Sequence, residues 1–157
     1  MSFYLLDTNI CIHFTKNEYG IVEKLDRIGF DNCFISELTI AEMLYGVANS
    51  APTKQAANRQ ALNELRAAFE GHILPIADCF EHYAAEKTRL RRAGRPVDDF
   101  DLMIGCTAIR HGLTLVTHNT RHFADISGIV TENWIDNPQA PTRHACCWNE
   151  TGASQLL

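Results

Sequence analysis

A chain of 157 residues, 46% of them hydrophobic, suits a single domain with a real core and excludes a disordered chain or a repeat array. Fourteen Lys and Arg against nineteen Asp and Glu leave a formal charge of −5. That balance argues against a broad surface coating nucleic acid, but not against a phosphate site built on carboxylates and bound cations. No apolar run approaches the roughly 20 residues of a membrane span and the N-terminus lacks a signal-peptide pattern, so the cytoplasm is the expected location, with no membrane partner.

Four apolar residues, 3–6 ("FYLL"), precede a polar stop and read as a short buried strand. Asp7, Thr8 and Asn9 then favour a turn or helix cap, with a short helix over 10–14. Ile21, Leu25 and Ile28 have helical spacing, and Gly29 is a plausible stop. Residues 33–35 read as a second strand. Ser36 caps the helix that follows, whose apolar rows are Leu38, Ala41, Tyr45 and Ile40, Leu44, Val47. "NSAPTKQ" marks a break, and a helical pattern resumes over 56–69. Residues 73–76 make a short strand or extended connector, with Pro75 disfavouring a central strand. A helix over 79–92 closes at "AGRP". Asp98 or Asp99 caps the next helix, which runs to about Ile109 and ends near Gly112. Residues 113–117 form another strand and 129–131 a final short one. Short apolar strands alternating with long helices predict an α/β domain around a mostly parallel sheet, spanning residues 1–135. Residues 136–157 are polar, proline-bearing and aperiodic, and read as a loose tail.

Six cysteines form no Cys-x-x-Cys pair. Cys11, Cys33 and Cys106 sit among apolar residues and read as core. The adjacent Cys146 and Cys147, beside His144, do not complete a zinc site. The acids are placed more pointedly. In an open α/β sheet, ligands gather outside the C-terminal ends of the strands. Asp7 follows the first strand directly, Asn119 follows the strand over 113–117, and Asp101 opens the helix before that strand, so these three can meet on one edge. Glu42 joins them only if its helix leans over the same edge. Mg²⁺ prefers hard oxygen ligands, and Mn²⁺ substitutes for it. Clustered carboxylates repel one another, and a divalent ion offsets that repulsion. Such an ion acidifies a bound water and neutralises a phosphodiester, with no nucleophilic Ser, Cys or His required. The plainer roles are caps for Asp7, Asp98 and Asp99, a surface helix acid for Glu42, and a helix-dipole partner for Asp101. The stretch "EKTRLRRAGR" sets Lys87, Arg89, Arg91, Arg92 and Arg95 against one acid, Glu86. It is a candidate RNA-contacting patch or a solvated helix face.

The stretches "LLDTN", "ISELTIAEMLYG", "DDFDLMIGCTAI", "LTLVTHN", the following "HF" and "ENW" occur in this order. Together they resemble the PIN-domain ribonucleases, specifically the VapC-like toxins of bacterial type II toxin–antitoxin systems. The resemblance covers residues 3–135 or so. It implies a PIN-like three-layer α/β/α sandwich with a mostly parallel central sheet. It also implies a Mg²⁺-dependent endoribonuclease that hydrolyses RNA with a metal-activated water, a small cognate antitoxin, and a homodimer. The resemblance carries the acidic ligand positions onto Asp7, Glu42 and Asp101, and a fourth catalytic position, acidic or amide, onto Asn119, which departs from members with Asp. Thr8, Asn9 and Thr117 match supporting polar positions. Asp99 adds charge two residues before Asp101 without matching a ligand position. Two other readings stay open. One is a catalytically weak PIN domain acting as a partner-binding module. The other is an aspartyl-phosphate phosphatase, which typically shows Asp-x-Asp where Asn9 stands here.

Overall fold

The computed structural model describes residues 1–136. Five short strands, β1 (Tyr4–Leu6), β2 (Cys33–Ser36), β3 (Ile73–Leu74), β4 (Thr114–Val116) and β5 (Thr131–Glu132), form one sheet in the order β3-β2-β1-β4-β5. Every pairing is parallel, with Leu5 opposite Phe34 on one side and Leu115 on the other. Parallel neighbours need crossovers, and the helices supply them. α1 (Thr8–Thr15) and α2 (Ile21–Ile28) connect β1 to β2. α3 (Glu37–Ala48) and α4 (Pro52–Ala68) connect β2 to β3, and α5 (Phe80–Arg92) and α6 (Asp99–Arg110) connect β3 to β4. The single turn α7 (Thr120–Phe123) lies between β4 and β5.

The period-2 alternation of a strand divides the apolar residues between two cores. Tyr4, Leu6, Cys33, Ile35 and Val116 face one side and pack with Ile10, Leu25, Leu65, Phe69 and Trp134. Leu5 and Leu115 face the other and pack with Leu90, Leu102, Ile104 and Phe123. Both faces of the sheet are therefore covered, which gives the expected α/β/α sandwich and explains why the strands read as unbroken apolar runs. Cys11, Cys33, Cys79 and Cys106 are free and buried. No helix among the described residues is long and apolar enough to cross a membrane.

The boundaries differ from the sequence expectation in instructive ways. α4 begins at Pro52, inside the stretch read as a break, because proline fits the first turn of a helix where its missing N–H costs nothing. The last strand is Thr131–Glu132 instead of 129–131, and Ile129 packs into the second core. α1 starts at Thr8, capped by Asp7 itself. α7 and two 3₁₀ turns, Phe30–Asn32 and Ile76–Cys79, were not expected from the pattern. The tail beyond Asp136, with His144, Cys146 and Cys147, lies outside the described residues.

Candidate active site

β1 ends and α1 begins at Asp7, so this one residue is held by both elements. Its N–H continues the sheet by donating to the Val116 carbonyl at 2.9 Å. Its carboxylate caps the helix, Oδ1 accepting from the Thr8 N–H at 2.8 Å. Oδ2 accepts from Asn9 Nδ2 at 2.7 Å and from the Thr117 hydroxyl at 2.8 Å. Asn9 in turn accepts the His118 N–H at 3.0 Å, and Thr117 Oγ1 accepts the Asn119 N–H at 3.0 Å. Thus the supporting residues Thr8, Asn9 and Thr117 all meet at Asp7, and they tie the exits of β1 and β4 together.

Glu42 sits in α3, whose N-terminus is capped by Ser36. α3 leans across α1, and the Thr8 hydroxyl donates to Glu42 Oε2. Thr39, one turn earlier on α3, is buried with its Oγ1 3.3 Å from that of Thr8. Asp98 caps α6 by accepting the Phe100 N–H at 2.9 Å. Asp101, in the first turn, lies 3.1 Å from His122 Nδ1. Asp99 points away: it pairs with Lys87 Nζ at 2.6 Å and accepts from the Tyr83 hydroxyl at 3.0 Å.

The electrostatics identify what the group lacks. Burial pushes the Asp7 carboxyl above its ordinary range, with Asp101 adding to the rise and its three hydrogen bonds opposing it. Glu42 is raised chiefly by burial, then by Asp7, Asp101 and Asp98. Asp101 is raised by burial and by Asp98, against His122. Among the described residues, no Lys or Arg pairs with Asp7, Glu42 or Asp101. Their oxygens are hard donors, and their shared strain is what a divalent cation relieves. By donor chemistry and charge the residues fit Mg²⁺. They do not form a preformed cage, since no three His, Cys, Asp or Glu among the described residues stand close enough to hold an ion together.

Asn119, the fourth position, stands at the N-cap position of α7 without a side-chain capping bond and lines a polar cavity with His122. Of the cationic stretch, Arg89 pairs with Glu86 at 2.5 Å and Arg95 with Asp125 at 2.7 Å. With Lys87 on Asp99, three of the five have partners within the fold. Arg91 lines a cavity of about 330 Å³ with Lys87, Asp98 and Asp99, and Arg92 is exposed. Sequence reasoning missed His122 and Thr39. His122 stands in the "HF" motif a few residues after the strand exit, and that motif was the signal for it.

A PIN domain model matches residues 4–129. The tRNA(fMet)-specific endonuclease VapC of Shigella flexneri is 36% identical over 138 residues, covering 83% of this chain and 97% of that protein. The structure of VapBC2 from Rickettsia felis bound to a DNA fragment from their promoter superposes with a TM-score of 0.75 at 32% identity, covering 84% of this chain and 98% of that one. The DNA-bound VapBC of Salmonella typhimurium gives the same TM-score and identity, covering 85% and 99%. With the domain match spanning both the Asp7 and the Asp101 segments, the chain belongs to the PIN-domain family and resembles its VapC-type ribonucleases.

Proposed function

We propose that this chain is a Mg²⁺-dependent endoribonuclease, the toxin of a toxin–antitoxin pair, with Asp7, Glu42 and Asp101 as the residues that hold the ion. The observation that carries this reading is the grouping of three carboxylates, Asp7 and Glu42 both bonded by Thr8 and Asp101 near enough to raise both, with no Lys or Arg of the described chain paired to them. When bound, the ion acidifies a water and neutralises the phosphodiester. The protein's part is positioning. Three donors fix the Asp7 carboxylate, Thr8 turns Glu42 toward it, and His122 fixes Asp101. Asn119 completes the catalytic set as a neutral member. RNA is favoured as substrate by the activity named for the Shigella relative. Arg91 and Arg92 are the members of the basic stretch with the most freedom to meet RNA phosphates. The nuclease domain is taken to span residues 1–135, a little beyond the matched residues 4–129.

An apolar cleft of about 230 Å³ between α1, α3 and α4, lined by Ile12, Met43, Val47 and Leu62, opens beside Glu42. It is the proposed seat of a small antitoxin segment, while a homodimer forms through helices away from Asp101. The deciding experiment incubates purified, inhibitor-free protein with a broad RNA panel and matched DNA. RNA cleavage should require Mg²⁺ or Mn²⁺, stop with EDTA and return with added cation. Cleavage indifferent to EDTA in metal-free buffer would sink the metal mechanism. Folded protein that binds an antitoxin but cleaves no RNA would favour the partner-binding reading instead.

A further inference from the structure

The sequence directs attention to the basic stretch on α5, yet most of its cations are spent on partners within the fold. A third cavity lies at His122, the histidine beside Asp101. It measures about 390 Å³ and is lined by His118, Asn119, Arg121, His122, Asn133 and Asp136, among others. That size falls within the ~300–1,000 Å³ range of small-ligand sites. The cavity shares two walls with the carboxylates: His122 lies 3.1 Å from Asp101, and the His118 N–H is held by Asn9, which also holds Asp7. Its floor is fixed. Asn133 donates to Asp136 at 2.8 Å and accepts the N–H groups of Ile135 and Asp136.

Two lining groups are uncommitted. Arg121 is exposed and has no ion pair among the described residues, unlike Lys87, Arg89 and Arg95. Asn119 uses its backbone N–H on Thr117, while its side-chain amide has no partner among the described residues. A guanidinium suits a phosphate as a two-pronged donor. An amide offers a donor and an acceptor together, as does the ribose 2′-hydroxyl it would face.

Resting on the ribonuclease reading, we propose that this cavity receives the nucleotide next to the scissile phosphate, Arg121 pairing its phosphate and Asn119 reading its ribose. Asn119, counted above in the catalytic set, then also reads the substrate.

Binding of labelled bulk tRNA to the 157-residue chain carrying Asp101→Asn, which is expected to stop turnover, tests this across a salt series. Arg121→Gln in that background should weaken binding about tenfold or more, and reduce the slope of log Kd against log salt by about one. Arg121→Lys should restore most of the slope. Arg110→Gln, roughly 13 Å along α6 from Asp101, should leave both unchanged. Asn119→Ala should narrow the preference for an oligoribonucleotide over the deoxy oligomer of the same sequence. Unchanged affinity and slope in Arg121→Gln, or an equal loss in Arg110→Gln, would overturn the subsite while leaving the nuclease intact. Wild-type protein that neither binds nor cleaves RNA overturns the subsite and the ribonuclease reading together.

Discussion

Asp101→Asn should make the metal-free protein more stable while removing its activity. The substitution keeps the shape of the side chain and an oxygen facing His122, 3.1 Å away. It costs the charge assistance of that one bond, about 1 kcal/mol. Against this, it removes the negative charge that raises the carboxyl groups of both Asp7 and Glu42, and ends the like-charge effect of Asp98 on Asp101 itself. Each such repulsion between partly buried carboxylates is on the order of 1 kcal/mol. Relief from three of them outweighs the single weakened bond, for a net gain of about 1–2 kcal/mol, or roughly 3–6 °C in Tm for a chain of this size. The sign with pH follows from linkage. Carboxylates raised in the folded state hold their protons longer than in the unfolded chain, so the wild type loses stability as pH rises through the raised values. The advantage of the variant should therefore be small in acid and reach its plateau at neutral pH. Mg²⁺ should reverse the order, since ligand at a hundredfold excess over its Kd stabilises by about 2.7 kcal/mol and the variant binds it poorly. Thermal melts from acid to pH 8, in EDTA and in Mg²⁺, beside an RNA cleavage assay, read all of this. Identical melts in EDTA, with equal shifts on adding Mg²⁺, would refute the shared electrostatic strain.

Asn119→Asp should tighten Mg²⁺ binding by roughly tenfold by adding a fourth carboxylate, while weakening RNA binding in the same protein; calorimetric titration and tRNA binding separate the two. Glu86→Gln should destabilise the fold by about 1–2 kcal/mol, discounted because Arg89 is half-exposed. Glu86 accepts from Arg89 and from the Ser127 N–H at 2.7 Å, and the Arg89 hydrogen bond holds its carboxyl below the usual range. That stability is present above the ordinary carboxylate value and lost as pH falls through the lowered one, so urea midpoints of variant and wild type should converge in acid. Gly105→Ala places a Cβ 2.8 Å from Ile126 Cδ1 and 3.4 Å from Phe123 Cδ1. It should cost about 1 kcal/mol by overpacking and lower turnover by pushing α7 and His122 off Asp101, seen as a kcat loss in urea-stable protein.

The placement of much of the candidate site was legible because its residues coincide with element boundaries. Asp7 stands where an apolar run stops, and a strand end that is also a helix cap leaves that residue little freedom to lie elsewhere. Asp101 follows a capping acid at a helix start, which the same logic puts on the same edge. Glu42 was harder, since its position depends on the angle at which α3 crosses α1, and no local pattern encodes a crossing angle. The Thr8–Glu42 and Thr8–Thr39 contacts record that angle only after folding. The cationic stretch shows the opposite failure. Composition counts charges without their partners, and Glu86, Asp99 and Asp125 had already claimed three of them. α7 was invisible because a four-residue helix carries no period to detect.

The position of β1 in the middle of the sheet has a consequence for how this chain is made. Its partner on one side, β2, comes within thirty-odd residues, but β4 lies at the far end of the domain. Thr117, which completes the grip on Asp7, is 110 residues downstream. At about 5–20 residues per second, a ribosome takes roughly 5–20 s to cover that distance. During this interval the nascent chain carries Asp7, and later Glu42, without Asp101's helix docked or the far edge of β1 paired. A ribonuclease emerging beside the translation machinery is thus inert by topology until nearly the whole domain has left the exit tunnel, and there is time for an inhibitor made alongside it to be waiting.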